Sequence, residues 1–319
     1  MRRVLITGAA GFLGRAFVGH HLDLGDQVTG VDDMSSGGAV WPVGLDASRR
    51  VETDAANWLE ANPRAIEEFD VVYHLAAPVG GRLKIEGDPF FNADSLRLDS
   101  VFFRWASQGF AGAVVYPSSS AVYGVEYQTS QHVALRESMF QPDQLQWNVP
   151  DEMYGFTKLV GEFLAWKAAA YGVNALCIRP FSGYGEGQSL DYPVPSIARR
   201  VAAREDPLTV WGSGEQTRDF VYVGDLVGAT VARVDAGVHR YAAMNIGSGT
   251  ATSFRKVAEI LAQLEGYRPS VRVDRSKPEG VLNRYSDNAE MQRFYTLHSS
   301  LEDGLSRVLE AQRRHLAGK

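Results

Sequence analysis

Hydrophobic positions in the N-terminal half of the chain fall into two alternating textures. Short runs rich in β-branched residues, at residues 4–7, 27–31, 71–74, 113–117 and 173–178, predict strands. Longer amphipathic stretches between them predict helices at residues 12–24, near 88–107 and at 151–171. Strands alternating with helices indicate βαβ units around a parallel sheet. The runs at 71–75 and 114–116 are apolar without alternation, as strands covered on both faces require. The pattern predicts an α/β fold, a doubly wound parallel sheet.

After Arg179-Pro180 the texture changes to Gly, Pro and short mixed segments, which predicts a smaller second α/β lobe. Segments 219–227 and 244–246 again look sheet-associated, so the chain is expected to cross between lobes more than once. The expected division is residues 1–180 with returning segments near 219–246, and residues 181–319 for most of the smaller lobe. Two of the helices are apolar on more than one side. Phe90, Phe91, Leu96, Leu98, Val101, Phe102, Phe103 and Trp105 go most of the way round one, and Met153, Phe156, Leu159, Val160, Phe163, Leu164 and Trp166 cover much of the other. Such helices are buried on more than one side. Deep packing within one chain and a homodimeric helical bundle both satisfy this, and the homodimer is favoured.

The 319 residues include 38 acidic and 32 basic side chains, a net charge of −6, which argues against a nucleic-acid partner. With 45% hydrophobic and 22% charged residues the composition is that of an ordinary globular protein. The single cysteine, Cys177, excludes an internal disulfide framework and a cysteine-based zinc cluster, and it is expected in the core. Gly8, Gly11, Gly14 and Arg15 interrupt the apolar run after Met1-Arg2-Arg3, and no stretch approaches the ~18 apolar residues of a membrane span. A soluble cytoplasmic protein without membrane association is expected. His20-His21 do not have metal-ligand spacing, no metal site is expected, and the amphipathic run 305–316 reads as a solvated helix face.

The 32 glycines matter by position. Val4-Leu5-Ile6-Thr7-Gly8-Ala9-Ala10-Gly11-Phe12-Leu13-Gly14 reads as strand, glycine turn and helix start. Such a turn lets backbone N–H groups approach a pyrophosphate, whose charge the helix N-terminus favours. Val28-Thr29-Gly30-Val31-Asp32-Asp33 ends the second strand with a carboxylate 18 residues after Gly14. A carboxylate there accepts from a ribose 2′-hydroxyl and repels a 2′-phosphate, which argues for NAD over NADP and for a Rossmann-type sheet. The spacing Gly8-x-x-Gly11-x-x-Gly14 resembles that of the extended short-chain dehydrogenase/reductase superfamily. The resemblance implies that Asp32, with Asp33 beside it, holds the adenosine ribose, that Asp54 and Ala55 sit near the adenine, and that Leu75, Ala76 and Ala77, after His74, pass under the cofactor. His74 itself reads as a core histidine at a strand end.

Tyr154-Gly155-Phe156-Thr157-Lys158 places a phenol and an ammonium one helical turn apart, on the same face. The cation favours the phenolate, bringing a group with pKa ~10 toward use as a general base. Tyr116-Pro117-Ser118-Ser119-Ser120-Ala121-Val122-Tyr123-Gly124 sits at the carboxyl end of a strand, where ligands of open α/β sheets bind. Together with Ile178-Arg179-Pro180-Phe181-Ser182-Gly183-Tyr184-Gly185-Glu186-Gly187-Gln188 and the stretch from Trp211 through Arg218-Asp219-Phe220 to Asp225, these motifs resemble the NAD-dependent nucleotide-sugar epimerase/dehydratase family over nearly the whole chain. The resemblance implies Ser119 as the catalytic hydroxyl, Tyr154 as acid/base, Lys158 as the residue that tunes it and contacts cofactor, and Arg218 at the substrate diphosphate. Gly81, Arg82, Ser120, Ser182 and Arg284 complete the expected substrate side.

Departures from the family pattern bear on the reaction. Family dehydratases have an Asp-Glu pair directly after the catalytic hydroxyl, where this chain has Ser120 and Ala121. The Glu of related decarboxylases and the Cys of the 3,5-epimerase type are absent there too. Ser182 replaces a usual Asn, and another usual Asn is missing near Ser95 or Leu96. The expected activity is a nucleotide-sugar epimerase inverting C4 through a 4-keto intermediate with tightly bound NAD. Pro78-Val79-Gly80-Gly81-Arg82-Leu83-Lys84 reads as a loop, which suits an acidic, uronic sugar if it faces the substrate. An oxidoreductase, ketoreductase or dehydratase of the same fold, and a non-catalytic NAD-binding scaffold, are the alternatives.

Overall fold

The computed structural model describes residues 1–318 apart from residues 37, 79, 89, 111 and 145–147. Val79 of the expected Gly-Gly-Arg loop and Pro89 of the expected second helix therefore lie outside the described residues. Five strands open the chain: β1 (Arg3–Thr7), β2 (Gln27–Asp32), β3 (Arg50–Glu52), β4 (Val71–His74) and β5 (Ala113–Pro117). With the strands Asn174–Pro180 and Tyr241–Ile246 they form one parallel sheet of seven. Its order is Tyr241–Ile246, Asn174–Pro180, β5, β4, β1, β2, β3. The chain moves outward in one direction from β1 to β3 and in the other from β4 onward. The crevice beyond the carboxyl ends of β1 and β4 is thus the switch point at which such sheets take ligands.

Two hydrophobic cores cover the sheet, one on each face. Phe17 and Val18 of α1 (Phe12–Asp23) join one of them, together with Leu226, Val227 and Val231 from a helix at Val223–Asp235. The other takes Leu59 of α2 (Ala55–Ala61), Phe102, Phe103 and Trp105 of α4 (Asp94–Ala106), and Ala165 and Ala168 of α5 (Glu152–Ala169). Leu5, Val72 and Val114 are fully buried, which explains their non-alternating runs. A third core gathers Ile197, Val201, Val257, Leu261, Leu305 and Val308 from three helices of the C-terminal part, Pro193–Ala202, Phe254–Glu265 and Leu301–Ala317. The last of these helices buries one stripe and exposes Arg314, consistent with the expected solvated face.

Four local expectations need correction. The edge strand β3 is only three residues long and carries charge at both ends, so no hydrophobic pattern marks it. The helix expected near residue 88 begins at Asp94, because Phe91 N–H bonds Asp88 O and Ala93 N–H bonds Phe90 O in successive tight turns. The Gly-Gly-Arg stretch is not a loop throughout: Gly81 leads into α3 (Arg82–Gly87), whose Arg82 and Glu86 pair one turn apart at 2.5 Å. The segment 219–227 splits into a strand, Phe220–Tyr222, paired with Ser182–Tyr184, and the start of the Val223–Asp235 helix.

Candidate active site

At the nucleotide end, Gly8 follows β1 with φ +69, and a Cβ there would lie 2.7 Å from Ala76 N and 2.8 Å from the carbonyl carbon of Leu75. Only glycine lets the turn rest on that segment. A Cβ on Gly14 would stand 2.0 Å from Gly8 O, so the first turn of α1 folds back on the same loop. Gly11 is the N-cap of α1 and supplies no capping side chain, and its Cβ would meet only Gly8 O at 3.3 Å. The amides of the helix start, beside the half-buried Phe12 and Leu13, therefore face a cradle that a side chain would narrow. This donor set fits a dinucleotide pyrophosphate.

Asp32 ends β2, is 8% exposed, and accepts from Ala10 N–H at 2.9 Å and Met34 N–H at 2.8 Å. Its carboxylate is thereby fixed beside the glycine turn, where a ribose diol would find an acceptor. The exposed Asp33 bonds Ser35. Asp54 caps α2 by accepting from Asn57 N–H at 2.9 Å, and the neighbouring Ala55 is packed in the core. Leu75, Ala76 and Ala77 are half-buried, with Ala76 N–H donating to Thr7 Oγ1 at 3.2 Å. His74 is a core residue: it stacks on Phe102 at 3.8 Å and bonds Thr7 and Asp99. Burial, with Lys158 adding to it, holds its imidazole below the usual pKa.

At the chemical end, α5 presents Tyr154 and Lys158 one turn apart. Gly155 allows the close approach that builds the site, since a Cβ there would be 2.4 Å from Ala121 O. The turn 119–122 thus lies directly against α5, and Asp151 N–H also bonds Ala121 O at 2.9 Å. Ser119, 8% exposed, accepts from Ala121 N–H at 3.1 Å, leaving its hydroxyl hydrogen for another acceptor. Lys158 is buried, with Nζ 5.1 Å from the centre of the Tyr116 ring.

Beneath this turn, Arg179 and Glu162 form a fully buried ion pair through bonds of 2.8 and 2.7 Å, and Ser118 and Tyr241 donate to the same carboxylate. Cys177 is buried in the core, as expected.

One cavity of about 310 Å³ collects Gly81, Arg82, Ser119, Ser120, Tyr154, Ser182, Arg218 and Arg284. Lys158 is not among its lining residues. Sequence reasoning missed Asp151, Tyr192, Trp211 and Phe254, which also line the cavity. Asp151 had a signal, since it lies three residues before Tyr154 at the head of the same helix. Arg82 Nη1 donates to both Asp151 oxygens at 2.9 Å, and Arg284 Nη2 to one of them at 2.7 Å. Burial opposes ionisation, yet Arg284 and Arg82 hold the Asp151 carboxyl below its usual range. Among the described residues, Arg218 donates only to the carbonyls of Thr217, Val281 and Glu279. Burial, with Arg284 nearby, brings its pKa down to about 9, the mark of a cation short of counter-charge. Among the described residues no group of three or more His, Cys, Asp or Glu side chains is placed to hold a metal. No helix among them is long and apolar enough to cross a membrane.

Comparison with known proteins gives this geometry a lineage. A dTDP-4-dehydro-6-deoxy-D-allose reductase from a Streptomyces species is 29% identical, over 98% of this chain and 97% of the relative. A UDP-glucose 4-epimerase from Mycolicibacterium smegmatis is also 29% identical, over 83% of each chain. The fold is shared with the UDP-glucuronic acid 4-epimerase of Bacillus cereus, solved with UDP-glucuronic acid and NAD, at a TM-score of 0.84 and 24% identity over 98% of this chain and 99% of that one. The model of the NAD dependent epimerase/dehydratase family matches residues 4–247, from β1 to just past the last strand of the sheet. This chain therefore belongs to the NAD dependent epimerase/dehydratase family, and NAD is its cofactor.

Proposed function

We propose that the protein is a nucleotide-sugar epimerase that inverts a secondary alcohol centre, C4, through a transient ketone. NAD, when bound, supplies a hydride acceptor that also returns the hydride. Tyr154 removes the alcohol proton and gives it back, Ser119 orients the same oxygen, and the Lys158 cation favours the phenolate. Arg218, the cation still short of counter-charge, takes the diphosphate.

One observation carries the choice of reaction. Ser119 and Tyr154 share a cavity in which positions 120 and 121 offer no carboxylate, while Asp151 at the head of α5 is tied to two arginines. A carboxylate held ionised in that way is a weak base toward a carbon-bound proton, which counts against elimination of water. The test is turnover of a nucleotide-hexose panel in D2O. Inversion at C4 without deuterium on any ring carbon is expected. Deuterium at a ring carbon would replace this reading with an enolising mechanism. Likeness to the allose-series reductase supports a second reading, a 4-ketoreductase. Stoichiometric consumption of NADH with a 4-keto sugar would favour it, whereas the epimerase accumulates no net NADH or NAD.

A further inference from the structure

We propose that Asp151 sets the charge selectivity of the cavity, favouring nucleotide sugars with an uncharged hexose over those whose sugar carries a carboxylate. This rests on the nucleotide-sugar reading above and goes against the uronic preference that Arg82 suggested in the sequence.

Asp151 does not play the part its position suggests. It is the N-cap residue of α5, where an aspartate ordinarily accepts from the amides of the first turn. No such bond is made. Its carboxylate instead turns to the cavity wall and takes Arg82 through both oxygens at 2.9 Å and Arg284 at 2.7 Å. Side-chain exposures are 8% for Asp151, 12% for Arg284 and 28% for Arg82, so the cluster is largely shielded from water. Two guanidinium groups converging on one carboxylate is the arrangement that would grip a ligand carboxylate. Here the chain provides that carboxylate itself.

The rest of Arg82 is engaged as well, since its Nε donates to Glu86 at 2.5 Å and Glu152 lies 3.9 Å away. Of the four arginines lining the cavity, Arg82 and Arg284 are neutralised by fixed acids, and Arg200 donates to the carbonyls of Ser196 and Thr209 in the C-terminal part. Among the described residues Arg218 bonds only backbone carbonyls, and it remains for the diphosphate. A substrate carboxylate must therefore displace Asp151 and leave it buried and unpaired, or compete with the diphosphate for the cations that remain. Either is costly. A neutral hexose meets neither cost.

The experiment is calorimetric binding of matched pairs, UDP-glucose against UDP-glucuronic acid and dTDP-glucose against dTDP-glucuronic acid. It uses NAD-loaded wild type, D151N and D151N/R82Q, with product analysis on the same samples. Wild type should bind the neutral member more tightly by about tenfold or more, the scale of a lost charge-assisted contact. D151N should shift the ratio toward the uronate by a similar factor, and adding R82Q should remove that shift. The wild-type ratio needs no variant to fold. Equal or tighter uronate binding by wild type, or an unchanged ratio in D151N, would overturn the proposal. Failure of every pair to bind would overturn it together with the nucleotide-sugar reading. The expected ratios without C4 inversion would support selectivity and remove the epimerase reading. Inversion with a uronate preference would do the reverse.

Discussion

Glu162→Gln tests the ion pair that underlies the catalytic turn. Glu162 and Arg179 are both 0% exposed. The carboxylate accepts from Arg179 Nε at 2.8 Å, Arg179 Nη2 at 2.7 Å and Tyr241 Oη at 2.7 Å, with Ser118 completing the set. Glutamine keeps the shape but removes the charge, and turns an NH2 toward groups that already donate. Arg179 keeps Tyr123 and the carbonyl of Phe140, both neutral. An uncompensated buried charge of this kind costs about 3–5 kcal/mol. That is a large part of a total stability of ~5–15 kcal/mol. Urea unfolding followed by circular dichroism, with the slope shared with wild type, measures the loss. The double variant Glu162→Leu/Arg179→Met removes both charges and should cost less than the two single changes together. A loss under about 1 kcal/mol for Glu162→Gln, or strict additivity in the double variant, would refute the reasoning.

Three further outcomes are expected. Gly11→Ala should fold with a melting temperature near that of wild type, since its Cβ meets only Gly8 O at 3.3 Å, yet should be purified with little NAD, measured by release and chromatography. Gly14→Ala, with a Cβ 2.0 Å from a backbone oxygen, should lose stability as well, and equal melting of the two variants would contradict the geometry. Arg218→Gln should weaken UDP binding at pH 7 by about tenfold or more, the scale of a lost charge-assisted contact. Calorimetry reads this directly, and unchanged affinity would remove Arg218 from the diphosphate site. Phe156 is 41% exposed on α5, beside the half-buried Met153 and Val160, and we propose that a second copy covers this face. Sedimentation should then give a dimer that Phe156→Arg converts to monomer, and a monomeric wild type would exclude it.

The central sheet was legible because its strands are buried on both faces. Continuous apolar runs such as 71–74 and 113–117 have no competing reading once glycine turns bound them. The β3 strand was not legible, because Arg50 and Glu52 pair only at an edge and nothing in three residues carries a period. The glycine turn and the Tyr154/Lys158 pair were legible for a different reason, since each is a local device whose parts lie within one turn or one loop. Arg82 shows the limit of that approach. Its sequence neighbours suggested a free cation facing a ligand, but its charge is matched by Asp151, 69 residues away. Which cations are spent and which remain is decided by long-range pairing.

That pairing also explains how a chain with a net charge of −6 is suited to an anionic substrate. The overall field opposes a diphosphate, so attraction must come from local donors. The structure offers two kinds. The amides of Phe12 and Leu13 at the start of α1 are fixed dipoles, and Arg218 is a cation held among carbonyls by burial. Arg82 and Arg284, by contrast, are balanced in advance by Asp151. A cavity whose four arginines were all unpaired would attract anions with little discrimination. Two of them tied to one internal carboxylate leave less unspent charge in the cavity, while Ser119 and Tyr154 offer hydroxyls to the sugar. On this arrangement charge governs where the substrate's phosphates lie, and hydrogen-bond geometry at Ser119 and Tyr154 governs which alcohol is oxidised.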